Sequence, residues 1–277
     1  MEINHLKKVD LHMHSNVSDG LLSPNELVKM ASSKGLCAIG LTDHDSISGL
    51  KDAEDSAPAY GIEIVPGVEI SVLEEHQEIH ILGYYPNYRE HLHERLAEIR
   101  TERYKRMEQI IEKLKRLGFK IEPEEVEMET GDAAPGRMHL ARILLKKKYV
   151  HTLDEAFSLY LSKNREAYVP RKTISLGEAM TLLRDVESVR VLAHPGFNDH
   201  STVSKLLPLG LQGLEVFHPD HSRSQVKYFM RLAEKLNLII TGGSDYHGDN
   251  RSNVDYHPGM AISRKYLDTL KITRFPY

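Results

Sequence analysis

Lys8-Val9-Asp10-Leu11-His12-Met13-His14 alternates strictly, with Val9, Leu11 and Met13 on one face and Asp10, His12 and His14 on the other. A two-residue period is the mark of a strand, and this one aims two imidazoles the same way. Beyond it, Ser23-Pro24-Asn25-Glu26 reads as a capping box with proline at the first helical position, and Gly35 closes that helix about three turns later. Strand, loop and helix therefore follow one another within the first 35 residues.

The unit recurs outward from there. Strands are expected over Cys37 to Asp43, Ile62 to Ser71 and Glu78 to Tyr84, with a helix from Ser48 to Tyr60. Residues 88–172 then carry helical signals and mixed charge: Leu92 to Leu117 closed by Gly118, Arg137 to Lys148, and a third helix capped by Thr152-Leu153-Asp154-Glu155. Alternation resumes with a cap at Ser175 to Glu178 and strands Arg190 to His194, Leu214 to His218 and Leu238 to Gly243. Seven strands alternating with helices imply an α/β barrel or layered sheet made of residues 1–87 and 173–277, with residues 88–172 as a helical insertion.

A chain of 277 residues can bury such a core. Its net charge of -4 gives no broad positive field, which argues against a long nucleic-acid duplex as partner. The single cysteine, Cys37, excludes a disulfide framework and is expected to be a buried, inert thiol in a reduced compartment. The N-terminus lacks the apolar core of a signal peptide, and no run reaches the ~18 apolar residues that a membrane span needs, so a cytoplasmic protein without membrane contact is expected.

Most of the strands end in residues that can bind a cation. The motifs are DLHMHS from Asp10, SDG with Asp19, LTDHD with His44, PGVEIS with Glu69, IHILGY with His80, LAHPG with His194, and GGSDYHG with Asp245 and His247. Imidazole nitrogen mixed with carboxylate oxygen suits Zn, Mn or Fe, whereas an all-oxygen set suits Mg or Ca. Taken singly the motifs are weak: His-x-His is common, and His80 between Ile79 and Ile81 also fits a satisfied core histidine. Glu69, however, stands in an apolar strand where only a cation or an arginine would neutralise it. One of Asp43 and Asp45 is expected to orient the His44 ring. Strand C-terminal ends are where α/β barrels build their sites, and nine candidate ligands exceed the needs of one ion, so a polynuclear centre is expected.

This ordered set resembles the polymerase and histidinol phosphatase (PHP) domain phosphoesterases over the whole chain. It looks most like the stand-alone branch that dephosphorylates nucleoside 3',5'-bisphosphates or trims 5'-phosphorylated RNA. The resemblance implies a distorted seven-stranded β/α barrel and three divalent ions, whether Mn, Fe, Zn or Mg. Carried over by position, it assigns His12, His14, Glu69 and Asp245 to one ion, Glu69 with His80 and His194 to a second, and Asp19, His44 and His247 to a third. It also makes Gly136 to Arg142 the stretch that closes over substrate, with Arg137 gripping phosphate bidentately and His139 assisting. Arg171 is a further phosphate candidate, while Arg142 is expected to face solvent or an acid.

The implied reaction is attack on phosphorus by hydroxide generated at the metals, with Arg137 holding phosphate and His218 protonating the leaving alkoxide. The expected partner is a small nucleotide or the 5' end of a short single-stranded RNA. Rival readings are a histidinol-phosphate phosphatase, a metal-binding regulatory module and a metal-dependent amidohydrolase. On the insertion helix, Lys105, Arg106, Lys113, Lys115 and Arg116 alternate with Glu98, Glu102, Glu108 and Glu112, which reads as a solvated face.

Overall fold

The computed structural model describes residues 7–74, 77–130, 135–170, 174–197, 201–248 and 262–275. The strand of the opening motif, β1 (Lys8–Met13), is followed by α1 (Pro24–Ser33), β2 (Leu36–Leu41), α2 (Leu50–Tyr60) and β3 (Glu63–Glu74). The capping box is present: Ser23 accepts from the Glu26 amide, and the Glu26 carboxylate accepts from the Ser23 amide. β1, β2 and β3 pair in parallel, as βα units require. The direction then reverses, because β4 (Gln77–Tyr84) folds back on β3 as an antiparallel hairpin and also runs antiparallel to β5 (Val189–Leu192). Parallel pairing returns with β6 (Gly213–Phe217) and β7 (Ile239–Gly242). This hairpin is the distortion of the barrel.

One strand is added to the expected seven. β8 (Ile262–Ser263) pairs antiparallel with β1 at the sheet edge, and two residues are too short to leave an alternating signal. The sheet order is β7-β6-β5-β4-β3-β2-β1-β8. On the side where the motifs lie it nearly closes: the His14 amide donates to Tyr246 oxygen and the Asp245 amide to His12 oxygen, both at 2.9 Å. Gly243 permits that approach, since a Cβ there would stand 2.4 Å from the His12 backbone nitrogen.

Between β4 and β5 the chain forms α3 (Arg89–Arg116), α4 (Pro123–Thr130), α5 (Arg137–Lys146), α6 (Leu153–Ala156) with a π-turn at Phe157–Leu161, and α7 (Leu176–Asp185). α3 links two cores. Leu92, Leu96 and Ile99 join the barrel cluster with Leu183 and Ile81, while Met107, Ile110, Ile111 and Leu114 join a separate cluster with Leu140 and Leu144. A 28-residue helix thus fixes the helical segment to the barrel at one end and carries it over the strand ends at the other. α8 (Ser201–Leu206), α9 (Arg223–Lys235) and α10 (Lys265–Arg274) complete the described helices, none of which is long and apolar enough to cross a membrane. Cys37 is half-buried with its sulfur 3.7 Å from the Arg264 guanidinium, so it lies at a polar edge of β2 and not wholly within apolar core.

Candidate metal centre and substrate cleft

All nine sequence-derived ligands meet at the barrel mouth. Glu69, from β3, is at the middle: Oε2 lies 3.3 Å from His12 Nε2, 3.2 Å from His14 Nε2 and 3.0 Å from His44 Nδ1. Its Oε1 lies 2.9 Å from His80 Nδ1 and 3.1 Å from His194 Nε2. Asp245 Oδ1 stands 3.1 Å from His14 Nε2, and Asp19 Oδ1 stands 3.0 Å from His247 Nε2. Three groups place one donor atom per residue within 4.8 Å of the others: His12, His14, Glu69 and Asp245; His14, Asp19, His44 and His247; and His44, Glu69 and His80. His14 and His44 each belong to two groups, so proximity alone does not divide the ligands among separate ions.

The donors fit divalent cations. His12 Nε2 faces His14 Nε2 at 3.1 Å, a contact that has room for one proton at most. Glu69 Oε2 and Asp245 Oδ1 are buried without an acceptable hydrogen bond, a costly state that a cation at the focus of these lone pairs relieves. In the metal-free cluster, protons take that place. Burial disfavours the charged form of His14 and His80, but Asp245 and Glu69 on the first, and Glu69 and Glu78 on the second, raise them to about 9 and about 10. Burial likewise pushes the Glu69 carboxyl up, yet His44, His12 and His80 hold it well below the usual range. Asp45, His194 and Asp245, all at this mouth, adopt positive φ of 47°, 27° and 50°.

Around the candidate ligands lies a set of supporting acids, of which the sequence reading missed Glu215 and gave Asp43 and Asp45 a different task. Glu215, in β6, is wholly buried and accepts from His12 Nδ1 at 3.0 Å and from the His194 amide at 2.8 Å, so one carboxylate fixes two candidate ligands. Its sequence signal, an acid within an apolar strand, is the same one that marked Glu69. Asp43 accepts from Ser15 and Ser18 and so pins the loop that carries Asp19. Asp45 accepts from the Ser71 amide and pairs with Arg103 of α3. The expectation that one of these two acids orients His44 is corrected: its Nδ1 meets Glu69 at 3.0 Å and Ser71 Oγ at 3.4 Å, while the two carboxylates are engaged by Ser15, Ser18, Ser71 and Arg103. Glu215→Gln is expected to weaken metal affinity ~10- to 100-fold with the fold retained. Competition against a fluorescent chelator measures this, and unchanged affinity would remove Glu215 from the support.

A cleft of about 240 Å³ opens beside the centre, lined by the candidate ligands Asp19, His44 and His80 and by Arg103, Arg106 and Arg137. Arg137 reaches it as expected from the first turn of α5, its guanidinium 5.9 Å from the ring centres of Phe157 and Tyr168. His139 is buried, and its Nδ1 accepts from the Gly136 amide at 3.0 Å, which makes it a cap of α5. Arg142 does not face solvent; it is buried and donates to the Asp19 carbonyl at 2.9 Å, since its face of α5 lies against that loop. Arg171 lies outside the described residues. His218 is buried beside Asp245, with Nε2 3.7 Å from Asp245 Oδ2.

The solvated-face reading of α3 suits Lys105, Lys115 and Arg116, which pair with Glu102, Glu122 and Glu112. It is wrong for Arg106, which lines the cleft and donates from Nε to Val169 oxygen at 2.9 Å. Arg103 was missed altogether. It is ion-paired to Asp45, and its Nε is buried without a partner on the cleft wall.

A barrel whose strand ends gather histidines and acids in this way defines a class, the β/α barrels with a candidate polynuclear metal centre. The chain belongs to the PHP domain family, whose model matches residues 10–149. It is 32% identical over 248 residues to a 5'-3' exoribonuclease of Haemophilus influenzae, covering 87% of this chain and 90% of that one. It is 30% identical over 267 residues to a 3',5'-nucleoside bisphosphate phosphatase of Chromobacterium violaceum, covering 90% of each. Among solved structures, a protein described as a metal-dependent phosphoesterase from Bifidobacterium adolescentis superposes with a TM-score of 0.88 at 26% identity, covering 97% of this chain and 96% of that one.

Proposed function

We propose that the protein is a metal-dependent phosphoesterase that hydrolyses phosphate from nucleotides, either nucleoside 3',5'-bisphosphates or the 5'-phosphorylated end of short RNA. The observation that carries this reading is the cleft itself, which is lined both by the candidate ligands Asp19, His44 and His80 and by the guanidiniums of Arg103, Arg106 and Arg137. A substrate with two phosphates suits it, one group at the ligands and one at the guanidiniums. The two relatives named above are a 5'-3' exoribonuclease and a 3',5'-nucleoside bisphosphate phosphatase, which favours this over the histidinol-phosphate reading. The full ligand set argues against a silent regulatory module.

In this proposal His12, His14, Asp19, His44, Glu69, His80, His194, Asp245 and His247 hold the divalent cations. Such ions, when bound, neutralise phosphate and lower the pKa of water toward about 7. Arg137 and Arg103 bind and orient phosphate oxygens, and Arg171 is kept as a candidate for the second phosphate. His139 holds the N-terminus of α5, and with it Arg137, in place. His218 is assigned the proton that the leaving alkoxide takes up. Burial disfavours its charged form, but Asp245 and Glu215 raise it above the ordinary imidazole value and so keep it protonated nearer neutrality.

Phosphate release from adenosine 3',5'-bisphosphate and from a short 5'-phosphorylated RNA by Mn-loaded protein tests the reading, with histidinol phosphate as comparison and His44→Ala as control. Turnover of a nucleotide substrate that disappears in the control is expected. His218→Ala should lower kcat at unchanged metal content. Preference for histidinol phosphate, or no turnover of any of the three, would overturn the proposal.

A further inference from the structure

The cleft treats two of its arginines in opposite ways. Arg103 is paired with Asp45, a carboxylate with 0% exposure, so that ion pair is a fixed part of the fold. Arg137 is paired with Glu78, whose side chain is 40% exposed, through Oε2 at 3.1 Å. The other oxygen of the same carboxylate lies 3.5 Å from His80 Nε2. Glu78 and His80 are two residues apart on β4 and share a face, which is why one acid can span from a candidate ligand to the guanidinium. A phosphate held between His80 and Arg137 would need that same place.

We propose that Glu78 is an internal counterion that occupies the anion seat of Arg137 and is displaced by the substrate's phosphate, making it a specificity-determining residue. The inference rests on the reading of the cleft as a phosphate site. A partly exposed carboxylate–guanidinium pair is weak, whereas a phosphate dianion offers Arg137 a bidentate, doubly charged partner. Phosphate therefore wins the exchange, and a ligand with a single diffuse charge does not. Arg137 keeps its place when Glu78 leaves, because Nη1 also donates to Leu161 oxygen and the guanidinium lies 5.9 Å from the ring centres of both Phe157 and Tyr168.

Calorimetric titration of the metal-loaded protein with inorganic phosphate tests this in Glu78→Gln, Arg137→Ala and the double variant, with metal content measured in each. Glu78→Gln is expected to bind phosphate about fivefold more tightly, the fold-change that a partly exposed ion pair is worth, at unchanged metal content. That gain should vanish in the Arg137→Ala background. Equal or weaker binding by Glu78→Gln would mean that the acid orients Arg137 and does not compete for its seat. Loss of metal would make Glu78 a ligand, and a gain that survives without Arg137 would make its effect diffuse; each of these overturns the proposal. Because phosphate binding is read directly, a wild-type protein that shows the exchange but hydrolyses neither nucleotide would refute only the assigned activity.

Discussion

Glu69→Ala is expected to lose bound metal and activity together, with kcat/KM falling by about three orders of magnitude or more, the equivalent of several kcal/mol of lost charge stabilisation. The reason is its position. A single carboxylate with no exposure lies within 3.3 Å of five imidazoles, those of His12, His14, His44, His80 and His194. It is the one acid that faces His12 and His14 through one oxygen and His80 and His194 through the other, so its loss opens more than one ligand group at once. Removing it also leaves the imidazoles without the anion that holds their protons, so the metal-free variant should melt earlier than metal-free wild type. The isosteric Glu69→Gln, measured alongside by metal analysis, phosphate release and thermal melting, separates lost ligation from lost packing. A variant that keeps both metal and turnover would remove Glu69 from the centre.

Much of that centre could be read before any coordinates, because a strand has a rigid code. Period-two alternation put His12 and His14 on one face, and the barrel rule put the other motifs at the same mouth. The division of the ligands was not readable, since it depends on distances across six strands, and even the folded chain leaves His14 and His44 shared between groups. Glu215 was passed over although it carries the same acid-in-apolar-strand signal as Glu69; with no histidine in its own strand motif before His218, it looked like ordinary strand. Arg103 and Arg106 were hidden for a stronger reason. Cations spaced among glutamates on a long helix look alike whether the face meets water or a cleft, and only the placement of α3 over the strand ends distinguishes them. Arg142 was misjudged in the same way, its partner being a backbone carbonyl 123 residues earlier.

Chelator-treated protein is expected to lose stability as pH rises from about 6.5 toward 10, while Mn-loaded protein does not. His14 and His80 are raised from an ordinary 6.5 to about 9 and about 10 in the metal-free fold. A group whose proton is held more tightly in the folded state stabilises that state fully below its unfolded pKa, and the contribution disappears as pH climbs through the folded value. Each tenfold change in proton affinity corresponds to ~1.4 kcal/mol, and because the two histidines share Glu69 the combined loss is on the order of a few kcal/mol. Asp10, raised by burial from 3.8 to about 6, acts in the same direction but below this window, so its loss is largely complete before pH 6.5. His194 acts oppositely, since burial lowers its affinity and so penalises the fold only in acid. Glu69 and Asp245, held well below their usual range, lose their contributions only at much lower pH. Cations compete with these protons for the same lone pairs, so metal binding must release them and grow tighter over the same interval. The gap in melting temperature between Mn-loaded and chelator-treated protein should therefore widen between pH 6.5 and 9.5. A chelated protein whose melting temperature stays flat or rises over that interval would show that the imidazoles do not hold their protons through Glu69 and Asp245.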